Sequence, residues 1–202
     1  MSSQSSQFDQ DIVQLINEAC LAGATEVRRL APGDIVVEKQ MAVYCREPGC
    51  PNYGQSLSCP PHVAGPAAYV ALQAASRAAL VVRIEVPSAV LFSDERREVM
   101  RLLHEIVAGI ERSAIARGYA GSKAFAGGSC KDLFCPDHPL CRVLAENGPC
   151  RNPDAARPSM SGFGVNVART LKNAGFTEPD KTRPAVKGQE AAPGAGGQEG
   201  GK

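Results

Sequence analysis

Ala78-Ala-Leu-Val-Val-Arg-Ile-Glu-Val86, closed by Pro87, is followed by an amphipathic run from Asp94 to Arg117 and a weaker β-like run from Tyr119 to Ala126. The first stretch is aliphatic and β-branched. Its nearly continuous apolar first half predicts a strand buried on both faces. Ser93 is placed to cap the run that follows. Val99, Leu102, Leu103, Ile106, Val107, Ile110 and Ala114 recur at helical spacing as its inner face, and Gly118 stops it. Strand, crossover helix and second strand make a βαβ unit with parallel strands. The expectation is an α/β domain: a small mixed or parallel sheet with flanking helices and two cysteine-rich metal-binding loops.

Outward from that unit, Phe8, Ile12, Leu15, Ile16 and Ala19 predict an amphipathic helix over 8–21, stopped by Gly23. Two β-like runs follow, Glu26 to Leu30 and Ile35 to Lys39, joined by the turn residues Ala31-Pro-Gly-Asp34. The second extends through Val43 and leads into Cys45. A helix is expected over 67–75, and a last one from Ser161 to Ala174 before Gly175. Residues 177–202 carry no aromatic and only Val186 as a large aliphatic, a composition that cannot offset its ordering entropy. The chain therefore reads as one α/β metal-binding domain over 1–176 and a disordered Gly/Pro-rich tail over 177–202.

Composition narrows the function. In 202 residues, 22 Lys plus Arg stand against 21 Asp plus Glu, for a net charge of +1. That balance argues against a nucleic-acid binder and offers no basic anchor for a membrane surface. The longest apolar stretch, Ala78 to Val82, is far short of a membrane span. The amino-terminal segment has no basic start and no apolar run, so a cytoplasmic location is expected. Disulfides are rare there, which turns 8 cysteines into metal ligands or redox groups rather than staples.

Seven of the eight fall into two Pro- and Gly-rich segments. Cys45, Cys50 and Cys59 follow C-x4-C-x8-C, and Cys130, Cys135, Cys141 and Cys150 follow C-x4-C-x5-C-x8-C. Structural zinc sites use paired C-x2-4-C knuckles, of which there are none here. Iron–sulfur clusters take four thiolates over a wider perimeter, from irregular loops, with a proline after a cysteine in some runs. Cys59-Pro60 and Cys135-Pro136 have that form. The second group can close a [4Fe–4S] cluster unaided. Arg142, Arg151 and the backbone N–H groups of the Ser161 helix stand near enough in sequence to balance its charge, although surface arginines are the plainer reading of the first two. The three-thiol group needs a fourth ligand from His62, Cys20, a partner or a substrate, and an open iron there is where chemistry would occur. Cys20 reads more simply as a small buried hydrophobe. His104 reads as a partly exposed helix residue, and His138 as a neighbour of a thiol set already complete. No phosphate-binding, metalloprotease or nucleophile-elbow motif is present.

Taken in order, Cys50-Pro-Asn-Tyr-Gly, Ser58-Cys59-Pro-Pro-His62, Gly128-Ser-Cys130, Gly148-Pro-Cys150-Arg-Asn-Pro and Arg157-Pro-Ser-Met160 carry a resemblance. From about Cys45 to Gly175 the chain resembles a bacterial and archaeal family, a domain of unknown function, of predicted cysteine-rich metal-binding proteins. It departs from that family's shorter gaps at Cys45-x4-Cys50 and Cys130-x4-Cys135. The resemblance implies metal binding through these cysteines. Three readings follow: an iron–sulfur protein serving electron transfer or a partner enzyme, an enzyme with an open metal centre at the three-cysteine group, or a zinc-stabilised interaction module.

Overall fold

A computed structural model describes residues 2–176; the tail expected over 177–202 lies outside them. The chain runs α1 (Ser2–Leu21), β1 (Glu26–Leu30), α2 (Lys39–Val43), α3 (Gly65–Ala75), β2 (Ala79–Arg83), α4 (Ser88–Leu91), α5 (Arg96–Ala116), α6 (Cys130–Phe134), α7 (Arg142–Glu146) and α8 (Val167–Asn173).

Helical periodicity read correctly. Phe8, Ile12, Leu15 and Ala19 bury one stripe of α1, and α5 is the 21-residue helix expected from its spacing. Ala19 and Ile106 meet Ala24 and Val27 in one core cluster, with Ile16, Leu80, Val82, Leu102 and Ile110 packed around it.

The sheet corrects the expectation. Among the described residues it has two strands, β1 and β2, and they are antiparallel, with Glu26 opposite Arg83 and Leu30 opposite Ala79. Every residue of β2 is half-buried rather than buried, and an apolar run does not set strand direction, so the βαβ unit does not form. The stretch from Tyr119 to Ala126 is not a strand. Gly121 and Ser122 interrupt it, and only Ala126 makes a bridge, parallel, to Ser159. The run from Ile35 also leaves the sheet. Val37 makes a lone bridge to Val165, Asn166 N–H donates to Val36 O (2.8 Å), and Glu38 N–H donates to Gly164 O (2.7 Å). From Lys39 the chain turns into α2, since Lys, Gln, Met and Ala are good helix formers. The last helix is shorter than expected. Ser161–Phe163 is a single 3-10 turn, and α8 starts after Asn166, whose side chain caps Arg169 N–H.

These exchanges build a second core, Ile35, Tyr69 and Val165, with the Tyr69, Phe125 and Phe163 rings packed edge to face. Around it, three segments separated in sequence lie side by side: 56–59, 126–130 and 157–160. Ser159 N–H donates to Ser58 O (2.9 Å), Ala126 N–H to Pro158 O (3.0 Å), and Met160 N–H to Ala126 O (2.9 Å). Gly162 allows the closest approach, because a Cβ there would stand 2.8 Å from Val63 and 3.0 Å from the Pro60 ring.

Truncating Ile106, which is 3% exposed at the α1–α5–β1 contact, to Ala should cost about 2–5 kcal/mol of unfolding free energy. Val13→Ala on the exposed side of α1 should stay within about 0.5 kcal/mol. Denaturant titration of the two variants checks the pair.

Candidate metal centre

The first loop begins where α2 ends. Cys45 opens a π-turn over Cys45–Gly49, and Gly49, at φ 117°, reverses the chain so that Cys50 N–H donates back to Cys45 O (3.0 Å). A second turn closes on Cys59, whose N–H donates to Ser56 O (3.1 Å). The second loop is strung on two short helices. Cys130 is the first residue of α6, Cys135 ends it, Cys141 precedes α7, and Cys150 follows the left-handed turn at Asn147.

The two loops meet. Cys59 Sγ lies 3.4 Å from Ser129 Oγ, and Cys130 Sγ lies 3.1 Å from Ser58 Oγ, so each thiol faces a serine of the other loop. Asn52 Nδ2 reaches Asp132 Oδ2 (3.4 Å) across the same junction. Burial pushes the Cys130 thiol up; the Ser58 and Ser56 hydroxyls oppose this, and the thiols of Cys59 and Cys150 add to it. Burial also raises Cys45, with Cys50 and Cys59 contributing. Burial pushes Cys141 up as well, but N–H groups of Leu57, Leu144 and Val143, with Arg151, outweigh it and hold that thiol below its usual range. Asn152 ties two more together, its side chain donating to Cys135 Sγ (3.2 Å) and its N–H to Cys150 Sγ (3.4 Å). The two cysteine loops thus meet at Cys59 and Cys130, although among the described residues no parallel sheet brings them to a common edge.

All eight cysteines are free thiols; Cys59 is buried, Cys45, Cys130, Cys135, Cys141 and Cys150 are partly exposed, and Cys50 is exposed. Cys20 is exposed near the end of α1, not buried on its apolar stripe, because Ile16 and Ala19 face the core and the helix turns Cys20 outward. His62 and His138 are exposed. Arg151 donates to Leu140 O (3.2 Å) beside Cys141, while Arg142 is paired with Glu146 (3.7 Å). The Ser161 turn is too short to supply a helix N-terminus.

His104 corrects its sequence reading most sharply. It is 0% exposed, and both ring nitrogens are engaged. Nε2–H donates to Gly127 O (2.9 Å), and Nδ1 accepts Arg157 N–H (3.2 Å). The ring also meets Phe134 edge to face at 5.6 Å. Arg157 pairs with Glu111 at 2.5 Å, and Glu111 accepts Ala124 N–H (3.0 Å). Side chains of α5 therefore hold the segments entering and leaving the second cysteine loop. A signal was present in the sequence: Met100, Val107 and Ala108, one turn either side of His104, are all apolar, so His104 has apolar neighbours along its helix face.

The residue types suit a thiophilic metal: seven thiols, two of them donating to serine hydroxyls and two accepting from Asn152. Among the described residues no three or more His, Cys, Asp or Glu side chains cluster tightly enough to hold a single ion. Ser56 Oγ is buried without a hydrogen-bond partner among the described residues, beside Cys130. A family model described as predicted metal-binding protein (DUF2284) matches residues 28–183, a span holding every cysteine except Cys20. No curated protein and no solved structure matches the chain.

Two tests follow from this geometry. Burial holds His104 below the usual imidazole range, with the Gly127 carbonyl opposing and Arg157 adding. The unfolded chain then takes up that proton first, so His104's contribution to stability is full at neutral pH and falls as pH drops below about 6.5. His104→Gln should remove that slope and cost about 1–3 kcal/mol through its unpaired partners, as read by denaturant titration on either side of that pH. Cys20→Ala should leave metal content unchanged and shift stability by no more than about 0.5 kcal/mol; loss of metal in that variant would make Cys20 a ligand.

Proposed function

The chain belongs to this family of predicted metal-binding proteins, and on that premise we propose that its two cysteine loops hold iron–sulfur cluster chemistry of the [4Fe–4S] type. The observation that carries the reading is the crossed contact of the loops, Cys59 to Ser129 and Cys130 to Ser58. It brings one thiol of each group, more than seventy residues apart in sequence, to the line where the loops cross, each against a serine hydroxyl of the other loop. Cys130, Cys135, Cys141 and Cys150 supply four thiolates, and Cys45, Cys50 and Cys59 supply three. Asn152 orients Cys135 and Cys150, and the backbone N–H groups with Arg151 favour the anionic form of Cys141. Cys59 and Cys130 are shielded by burial and serine contacts, whereas Cys50 is exposed. A cluster bound there takes up and releases one electron at a time, which suits a cytoplasmic electron carrier or support for a partner enzyme.

The exposure of Cys50 favours one second reading. Cys45, Cys50 and Cys59 would supply three thiolates to a metal, and the exposure of Cys50 would leave that group within reach of a substrate or a partner's side chain. Zinc in place of iron would make the region a structural module instead. No helix among the described residues is long and apolar enough to cross a membrane.

Iron and acid-labile sulfide analysis of anaerobically purified protein tests the reading: a brown protein with both is expected, and a colourless one with zinc overturns it. Cys135→Ala should lose metal and thermal stability together, because ligand binding and loop order are coupled. Full metal content and an unchanged melting temperature in that variant would remove Cys135 from the ligand set.

A further inference from the structure

Ser56 is 0% exposed, and its hydroxyl has no hydrogen-bond partner among the described residues. Buried hydroxyl groups are almost always satisfied, because leaving one unpaired costs the full desolvation of the group. The hydroxyl is not remote from polar atoms. Ser56 sits in the turn that closes on Cys59, its carbonyl accepting Cys59 N–H (3.1 Å), two residues before Ser58, whose hydroxyl lies 3.1 Å from Cys130 Sγ. Cys59 has Ser129 Oγ at 3.4 Å from the second loop. Three serine hydroxyls therefore surround two buried or half-buried thiols at the line where the loops cross. Ser129 is itself only 3% exposed.

A neutral thiol is a weak acceptor. A metal-bound thiolate keeps negative charge and lone pairs, and hydrogen bonds to charged groups are the stronger kind. We infer that Ser56 is a hydrogen-bond donor held for the metal-bound sulfur of Cys130, and that Ser58 and Ser129 are crossed donors that join the two cysteine groups into one coupled centre. The inference rests on the reading above that these cysteines ligate metal. Ser56 is a positioning residue: it acts on the metal through Cys130. Donors to a ligating sulfur favour the more reduced, more negative state of a cluster, and they hold the thiolate in place. The crossing gives each serine a defined target. Ser56 and Ser58 act on Cys130, and Ser129 acts on Cys59.

The experiment uses the full chain, purified anaerobically, as wild type, Ser56→Ala and Ser129→Ala. Iron and sulfide content, the midpoint potential by redox titration, and the rate of metal release to a chelator are measured on each. Ser56→Ala removes one oxygen from a packed site, so the expected result is unchanged stoichiometry, a lower midpoint potential and faster metal release. Ser129→Ala is expected to do the same through Cys59. An iron-containing Ser56→Ala protein whose potential and release rate equal the wild type overturns the inference and leaves the iron–sulfur reading standing. A wild-type protein with zinc and no sulfide overturns that reading instead. The inference is then decided by zinc release, faster from Ser56→Ala if it holds and equal if it fails. A wild-type chain that binds neither metal ends both.

Discussion

A single imidazole holds the floor of the cysteine region. His104 projects from the middle of α5 into a fully dry site and spends both nitrogens on main chain, at Gly127 and at Arg157. Those two points flank the second cysteine loop. Each bond is worth only about 0.5–1.5 kcal/mol net, but either group left unpaired in that site costs about 1–3 kcal/mol. The arrangement therefore acts less as an attraction than as a constraint, because departures from it are expensive. Ala126 and Ser159 bridge beside it, Ser159 N–H reaches Ser58 O, and the first loop is aligned in turn. Helix α5 thus transmits its position through His104, with Glu111 beside it on Arg157 and Ala124, to the cysteine loops.

The loops need that support because their own content favours disorder. They are rich in proline and glycine and carry few large apolar groups. Thiols crowded together also resist becoming thiolates. Cys45 and Cys130 are held up first by burial and then by neighbouring thiols. A serine hydroxyl leans the other way at Cys130, and backbone N–H groups with Arg151 do so at Cys141. A cation bound there would supply the charge that makes several close thiolates compatible, and metal binding would then be coupled to the folding of this region.

Periodic helices were legible. The spacing of apolar residues in α1 and α5 predicted both, and the cysteine spacing singled out all seven loop thiols. The sheet was misread for a physical reason. A short apolar run carries no strand direction, and β2 is only half-buried in an antiparallel pair. Val36 and Glu38 found backbone partners in 164–166 rather than in a sheet, a choice made by pairing more than a hundred residues away. Cys20 shows the limit of periodicity at a helix end, where one residue separates a buried Ala19 from an exposed thiol.

Amino-acid order alone determined where the thiols cluster along the chain, which stretches form long helices, and what class of ligand so many unpaired thiols suit. Those properties depend on residue type and local spacing. Only the tertiary structure decided that the two cysteine loops meet, that His104 is a buried strut, and that Ser56 buries its hydroxyl with no hydrogen-bond partner among the described residues. Each of these depends on segments separated by scores of residues, and no local pattern encodes which distant backbone group will meet a given side chain.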